Sequence, residues 1–249
     1  MKWISSGTPT KSTAIQHSQK STHPRAMAYV ASIEPTKIQE SARKYQYLSS
    51  SRVAVMKPVA SGAVATRNGP RSDDALALID AAGSPAPYAL VNPYCFEPPV
   101  SPHIAAKEAN INVDIGTIRE NCATLALGAD WVVIEGAGGW LAPINDRASM
   151  ADLALALEAP ALLVVGIRLG CLNHAQLARF AVAARGVRFA GWIASAVDPA
   201  MLRFAENLAS LERLLGETAL AVVHHSEAPE SLTLREAAAE LARRVAASS

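Results

Sequence analysis

From Ser51 onward the sequence repeats one pattern: a short apolar run, rich in β-branched residues, and then a helix-length segment with a recognisable start. Parallel strands cannot be joined by a tight turn and need a crossover of a dozen or more residues. The alternation therefore commits this part of the chain to an α/β fold, a mostly parallel sheet flanked by helices. The candidate strands are Val53 to Met56, Trp131 to Glu135, Leu162 to Gly166, Phe189 to Ala194 and Ala219 to Val223. Ser72 or Asp73 can cap the helix "DDALALIDAA", and Asn173 can cap "HAQLARFAVAARG". Asp198 before Pro199 reads as a further cap, with proline at the first helical position.

Composition narrows the function classes. A chain of 249 residues that is 50% hydrophobic buries a full core. A formal net charge of +1 gives no electrostatic case for a nucleic-acid or anionic-membrane partner. The longest apolar run, "APALLVVGI", falls short of the roughly 20 residues a bilayer span requires. Cys95, Cys122 and Cys171 are too scattered for a disulfide framework or a zinc site, which fits a reducing, cytoplasmic setting.

The first fifty residues differ from the rest. They hold nine Ser, five Thr and seven Lys or Arg against two acids, a bias that predicts a poorly ordered extension (1–50) ahead of an α/β domain (51–249). Basic, Ser-rich and acid-poor composition also suits an organellar transit peptide, although no amphipathic helix accompanies it.

Two strand ends carry chemistry. In "SRVAVMKPVASG" the apolar run stops at Met56, and Pro58 forbids regular pairing, so Lys57 stands at a strand's C-terminal edge, where open parallel sheets bind ligands. The alternative is a surface lysine opening a loop. In "WVVIEGAGGW" a second strand delivers Glu135 to the same edge, and the glycines after it let backbone approach a phosphate. Asp73 and Asp74 begin a helix after Lys57, and either can be a plain cap. One of them, with Glu135 and Lys57, would form a clamp for a magnesium-bound phosphate. "GIRLGCLNH" enters a helix whose first amides can receive a carboxylate or phosphate. His174 reads as a first-turn polar residue, and His224 and His225, on opposite faces of a strand, cannot easily share a metal.

Taken in order, "KPVASG", "SDDALAL", "NPY", "SPH", "EGAGGWLAP", "VVGIRLGCLNH" and "GWIA" resemble dethiobiotin synthetase over about residues 52–226. The resemblance implies a P-loop NTPase-like fold, a homodimer, and ATP-dependent joining of carbon dioxide to 7,8-diaminopelargonic acid with closure of a cyclic urea. It implies that Lys57 stabilises the carbamate and the transferred phosphoryl group, and that Ser61 contacts the diamine. Asp74 and Glu135 match the acids that bind Mg2+, and Gly136, Ala137 and Gly138 lie along the nucleotide. Gly170, Cys171, Leu172 and Asn173 match the turn that receives the substrate carboxylate from the partner subunit. Ser195 stands where the family has an adenine-side asparagine.

The departures lie mainly at the N-terminus. The family opens with G-x-x-x-x-G-K-[ST] on the unit before "KPVASG", whereas here Gly7 is the only glycine before Gly62. "GTPTKST" places its lysine two positions too close to the glycine. The first βα unit is thus read as missing or replaced, and ATP binding as impaired. His224 and His225 also replace a Pro-aromatic pair. The competing readings are a catalytically inactive relative that dimerises or binds the diamine, and a related ATP-dependent amide-forming enzyme. "KPVASG" with "LGCLNH" argues against the second.

Overall fold

The computed structural model describes residues 26–32, 52–83, 86–224 and 232–246. In chain order the first elements are β1 (Ala26–Ser32), β2 (Val53–Met56), β3 (Val59–Ala60), α1 (Asp73–Ala82), α2 (Tyr88–Val91) and β4 (Tyr94–Cys95). Then come α3 (Pro102–Glu108), α4 (Ile115–Ala126), β5 (Trp131–Glu135), α5 (Met150–Ala156) and β6 (Ala161–Gly166). The chain continues through α6 (Cys171–Ala184), β7 (Phe189–Ser195), α7 (Phe204–Leu215), β8 (Ala221–Val223) and α8 (Leu232–Ala246).

Six strands form one sheet in the order β2-β5-β1-β6-β7-β8, every pairing parallel. β3 and β4 make a separate parallel pair beside it. The burial pattern explains the strand sequences. All six residues of β6 are buried, as expected of an interior strand covered on both faces, and it is a continuous apolar run. Met56, Ile134, Leu163 and Trp192 are among the fully buried side chains that join the strands to the flanking helices in one core.

Chain direction across the sheet reverses at β1. β2 and β5 lie on one side of it and β6, β7 and β8 on the other, and such a switch point opens a crevice at the C-terminal strand ends. The sequence reading leaves all of residues 1–50 outside the sheet; the structure takes its central strand from them. "AMAYVAS" pairs with β5 from Ala26↔Trp131 to Val30↔Glu135, and with β6 from Tyr29↔Ala161 to Ser32↔Val164. The run carries one β-branched residue, Val30, within Ser-rich surroundings, and a pattern search passes over it.

Two predicted helix starts are corrected. α6 begins at Cys171 with Gly170 as its cap, so Asn173 lies inside the first turn. α7 begins at Phe204 after Arg203, because the Asp198 carboxylate instead accepts the Ala200 amide at 2.9 Å in a local turn. Strand β8 starts two residues later than expected, at Ala221.

Candidate active site

Lys57 follows directly on β2, whose four residues are all buried, and its own backbone N–H donates to the Val91 carbonyl at 2.9 Å. The side chain turns inward and is 5% exposed, which settles the choice between a surface lysine and a sheet-edge lysine in favour of the latter. Its Nζ meets Glu135 Oε1 at 2.8 Å, Asp74 Oδ2 at 2.8 Å and the Gly136 carbonyl at 3.1 Å. An ammonium has three N–H donors, and each has an acceptor here. Burial alone would push the ammonium pKa down, but the charges of Glu135 and Asp74 outweigh it and raise the pKa above the ordinary lysine value. Lys57 is held as a cation.

Three elements supply this cluster. β5 brings Glu135 to its last position, and the register Met56↔Ile134 sets the ends of β2 and β5 side by side. α1 begins with both aspartates; Asp74 faces Lys57 and Asp73 is exposed. Past Glu135 the backbone turns at Gly138, φ 75°, where an added Cβ would come within 3.1 Å of the Ala142 Cβ. A side chain there meets both strain and crowding.

Of the remaining expected site residues, Ser61 follows β3 and is half-buried. Gly170 caps α6 at φ 95°, Cys171 is buried, Leu172 half-buried and Asn173 exposed. Ser195 ends β7 between Gly166 and Val223, and its carbonyl accepts the Ile167 and Val197 amides. Both α6 and Ser195 thus stand at the C-terminal side of the sheet, on the opposite side of β1 from Lys57. His174 is exposed in the first turn of α6, and His224 is exposed with its ring 6.1 Å from that of Phe204. His225 lies outside the described residues.

Sequence reasoning missed the groups that hold the cluster in place. The Asn92 amide donates to the Lys57 carbonyl at 2.6 Å and to the Tyr94 carbonyl at 3.2 Å. Its oxygen accepts the Tyr88 hydroxyl at 2.8 Å, and that hydroxyl in turn accepts the Ser72 amide at 2.8 Å. Burial pushes the Tyr88 phenol up to about 12, so it stays protonated and keeps donating. The available signal was Asn92 itself, an amide closing the apolar run "YALV" before a proline.

The sheet order and its switch point define a P-loop NTPase-like α/β fold. The MinD cell division protein of Aquifex aeolicus matches at TM-score 0.51 and 11% identity, covering 90% of this chain and 98% of that one. The Pyrococcus furiosus cell division ATPase MinD matches at TM-score 0.50 and 14% identity, covering 90% and 99%. A family model described as an AAA domain matches residues 41–231. Closer in sequence are proteins named ATP-dependent dethiobiotin synthetase. That of Pseudomonas paraeruginosa is 48% identical over 163 residues, 65% of this chain and 72% of the relative. Those of Xylella fastidiosa and Aromatoleum aromaticum are 49% and 46% identical, over 66% and 68% of this chain and 73% and 76% of theirs. The chain belongs to the dethiobiotin synthetase family.

Proposed function

We propose that this chain closes 7,8-diaminopelargonic acid into dethiobiotin at the Lys57 cluster, with carbon dioxide and ATP as co-substrates. The observation that carries the reading is the buried ammonium of Lys57 held by Asp74 and Glu135, 2.8 Å from each, where the family reading expects all three. One amine adds to carbon dioxide and loses a proton to give a carbamate. A carbamate oxygen takes the terminal phosphoryl group of ATP and releases ADP. The second amine then attacks the carbonyl carbon and gives up a proton, and phosphate leaves as the urea ring closes.

Each residue has a part in this sequence. Lys57 supplies fixed positive charge to the carbamate and to the phosphoryl group in transit, a preorganised stabilisation of developing charge. An incoming anion displaces the weakest of its present partners, the neutral Gly136 carbonyl at 3.1 Å. Ser61 donates to the diamine, and the amides at Gly170 to Asn173 receive its carboxylate. Gly136, Ala137 and Gly138 run along the nucleotide, with Ser195 beside the base.

The donor set suits Mg2+. Lys57 takes one oxygen from each of two carboxylates, the cluster carries one net negative charge, and magnesium is commonly held by one or two carboxylates together with substrate phosphates. Asp74 and Glu135 would hold the ion, which supplies charge neutralisation on the phosphates. A second copy of the chain completes the site. Leu169, Leu177 and Phe180, next to or along α6, are 94%, 58% and 67% exposed and offer an apolar surface beside the Gly170 turn. The work takes place in the cytoplasm; among the described residues no helix is long and apolar enough to cross a membrane.

Genetic complementation tests the reading. A bacterial strain that lacks its own dethiobiotin synthetase and grows on dethiobiotin but not on the diamine should grow on the diamine when given this chain. Expression of the folded chain without growth would overturn the assignment.

A further inference from the structure

Burying a polar side chain is costly unless it is fully partnered. Among the described residues the buried polar or charged residues are Lys57, Ser72 and Asn92, at 4%, 5% and 3% exposure. All three lie on one closed circuit, Asn92 through its side chain, Lys57 through its carbonyl and its ammonium, and Ser72 through its backbone amide. From the Lys57 carbonyl it runs to the Asn92 amide at 2.6 Å, through the Asn92 oxygen to the Tyr88 hydroxyl at 2.8 Å, and on to the Ser72 amide at 2.8 Å. Ser72 is the N-cap of α1, whose second residue, Asp74, returns to Lys57 Nζ at 2.8 Å. The circuit ties the strand-end lysine to the helix-borne aspartate by a route separate from their own ion pair.

The pieces of the circuit come from four places. Lys57 follows β2, Ser72 precedes α1, Tyr88 starts α2, and Asn92 leads into β4. The Arg71 guanidinium lies 4.1 Å over the Tyr88 ring and pins it from the side of the α1 entrance. Without Tyr88 Oη, the Ser72 amide and the Asn92 oxygen would each lose a partner inside the protein, and the entrance of α1 would be free to drift relative to β2. A drift of an ångström at a reacting centre can cost about a hundredfold in rate.

We propose that Tyr88 and Asn92 are positioning residues that fix the separation of Lys57 and Asp74, a reading that rests on the ring-closing role proposed for that pair. Neither is among the residues assigned to substrate or nucleotide. Their loss therefore slows turnover while leaving diamine binding in place, because the groups assigned to the diamine, Ser61 and the Gly170 turn, lie outside the circuit.

The test uses the full chain and two hydroxyl deletions within a short stretch. Tyr88→Phe breaks the circuit. Tyr94→Phe is the control, since the Tyr94 hydroxyl accepts the Asp114 amide at 3.1 Å and takes no part in the circuit. With saturating ATP, Tyr88→Phe should lower kcat about tenfold or more with the diamine KM within about twofold, and Tyr94→Phe should leave both within about twofold. In parallel, brief acetic anhydride labelling read by peptide mass spectrometry should show Lys57 protected in the wild type and labelled several times faster in Tyr88→Phe. Exposed Lys107 serves as internal reference. An unchanged kcat in Tyr88→Phe, or equal losses in both tyrosine variants, overturns the proposal. If the wild type closes no ring, the function falls, and labelling alone decides: Lys57 protection equal to that of the wild type overturns the positioning role as well. Should Tyr88→Phe fail to fold, Asn92→Asp is judged by the same criteria.

Discussion

At the scale of single residues, burial separates Lys57 from an ordinary loop lysine. Replacing it with methionine keeps the apolar stem and removes the charge, so Lys57→Met should abolish ring formation. It should also lower stability, by less than the roughly 3–5 kcal/mol of a fully buried broken pair, because the Asp74 side chain is 43% exposed and stays hydrated. A denaturant midpoint and a dethiobiotin assay measure the two effects; retained turnover would remove Lys57 from the chemistry. Glu135 divides its role differently. Glu135→Gln keeps an acceptor near Lys57 but loses the charge a metal requires, and should weaken magnesium-nucleotide binding more than diamine binding. Calorimetric titration with each ligand distinguishes the cases, and equal weakening of both would make Glu135 a structural partner of Lys57 alone.

At the scale of elements, capping decides where helices begin. The Asp152 carboxylate, in the first turn of α5, accepts the Ser149 amide at 2.8 Å, the Ser149 hydroxyl at 2.6 Å and Arg185 Nη1 at 2.7 Å. Partial burial works against its charge, but the Ser149 bonds and Arg185 outweigh it and hold its pKa below the ordinary carboxylate value. Asp152→Ala should cost about 1–2 kcal/mol, or a fall in Tm of roughly 2–4 °C for each kcal/mol. Because the folded pKa is depressed, the contribution is complete above the ordinary carboxylate value near pH 4 and is lost as pH falls through the folded one. The difference in Tm between wild type and variant should therefore shrink on acidification below about pH 4; a constant difference would contradict the capping role. The cap's Ser-x-x-Asp before an apolar run is a signal that the sequence reading passes over. Strand ends were readable, and with them Lys57 and Glu135, because hydrophobic patterning sets strands and a charge at or just past a strand's end stands out. What the sequence could not show was long-range pairing: that Asn92, 35 residues on, would take the Lys57 carbonyl. Local patterning left Asp73 and Asp74 open, and only the family resemblance pointed to Asp74, the one that meets the lysine. The starts of α6 and α7 were misplaced because Gly170 and Arg203, both with left-handed backbone, outcompeted the side chains with better capping chemistry.

At the scale of the whole molecule, β1 fills the central slot of the sheet, yet the chain carries no pair of glycines before Gly62 from which a family-type phosphate loop could form. Such a loop contributes several amide donors and a lysine to the phosphates. ATP should therefore bind far more weakly than the diamine, whose proposed contacts at Ser61 and Gly170 to Asn173 remain. Grafting a family-like strand, phosphate loop and helix in place of residues 1–50 should restore nucleotide affinity by several kcal/mol, by analogy with other lost oxyanion donors, each about 2.7–4 kcal/mol. Calorimetry on both chains checks this, and tight ATP binding by the unaltered chain would show that the phosphates are held some other way. The decisive measurement follows carbon. Purified wild-type chain and Lys57→Met are supplied with the diamine, carbon-13 bicarbonate, ATP and Mg2+ at high concentration, and the urea carbonyl is read by NMR. The wild type should place the label in the ring, with one ADP and one phosphate released per ring closed, and Lys57→Met should place none. Absence of label from the folded wild type, or equal label from both chains, would contradict ring closure at the Lys57 cluster.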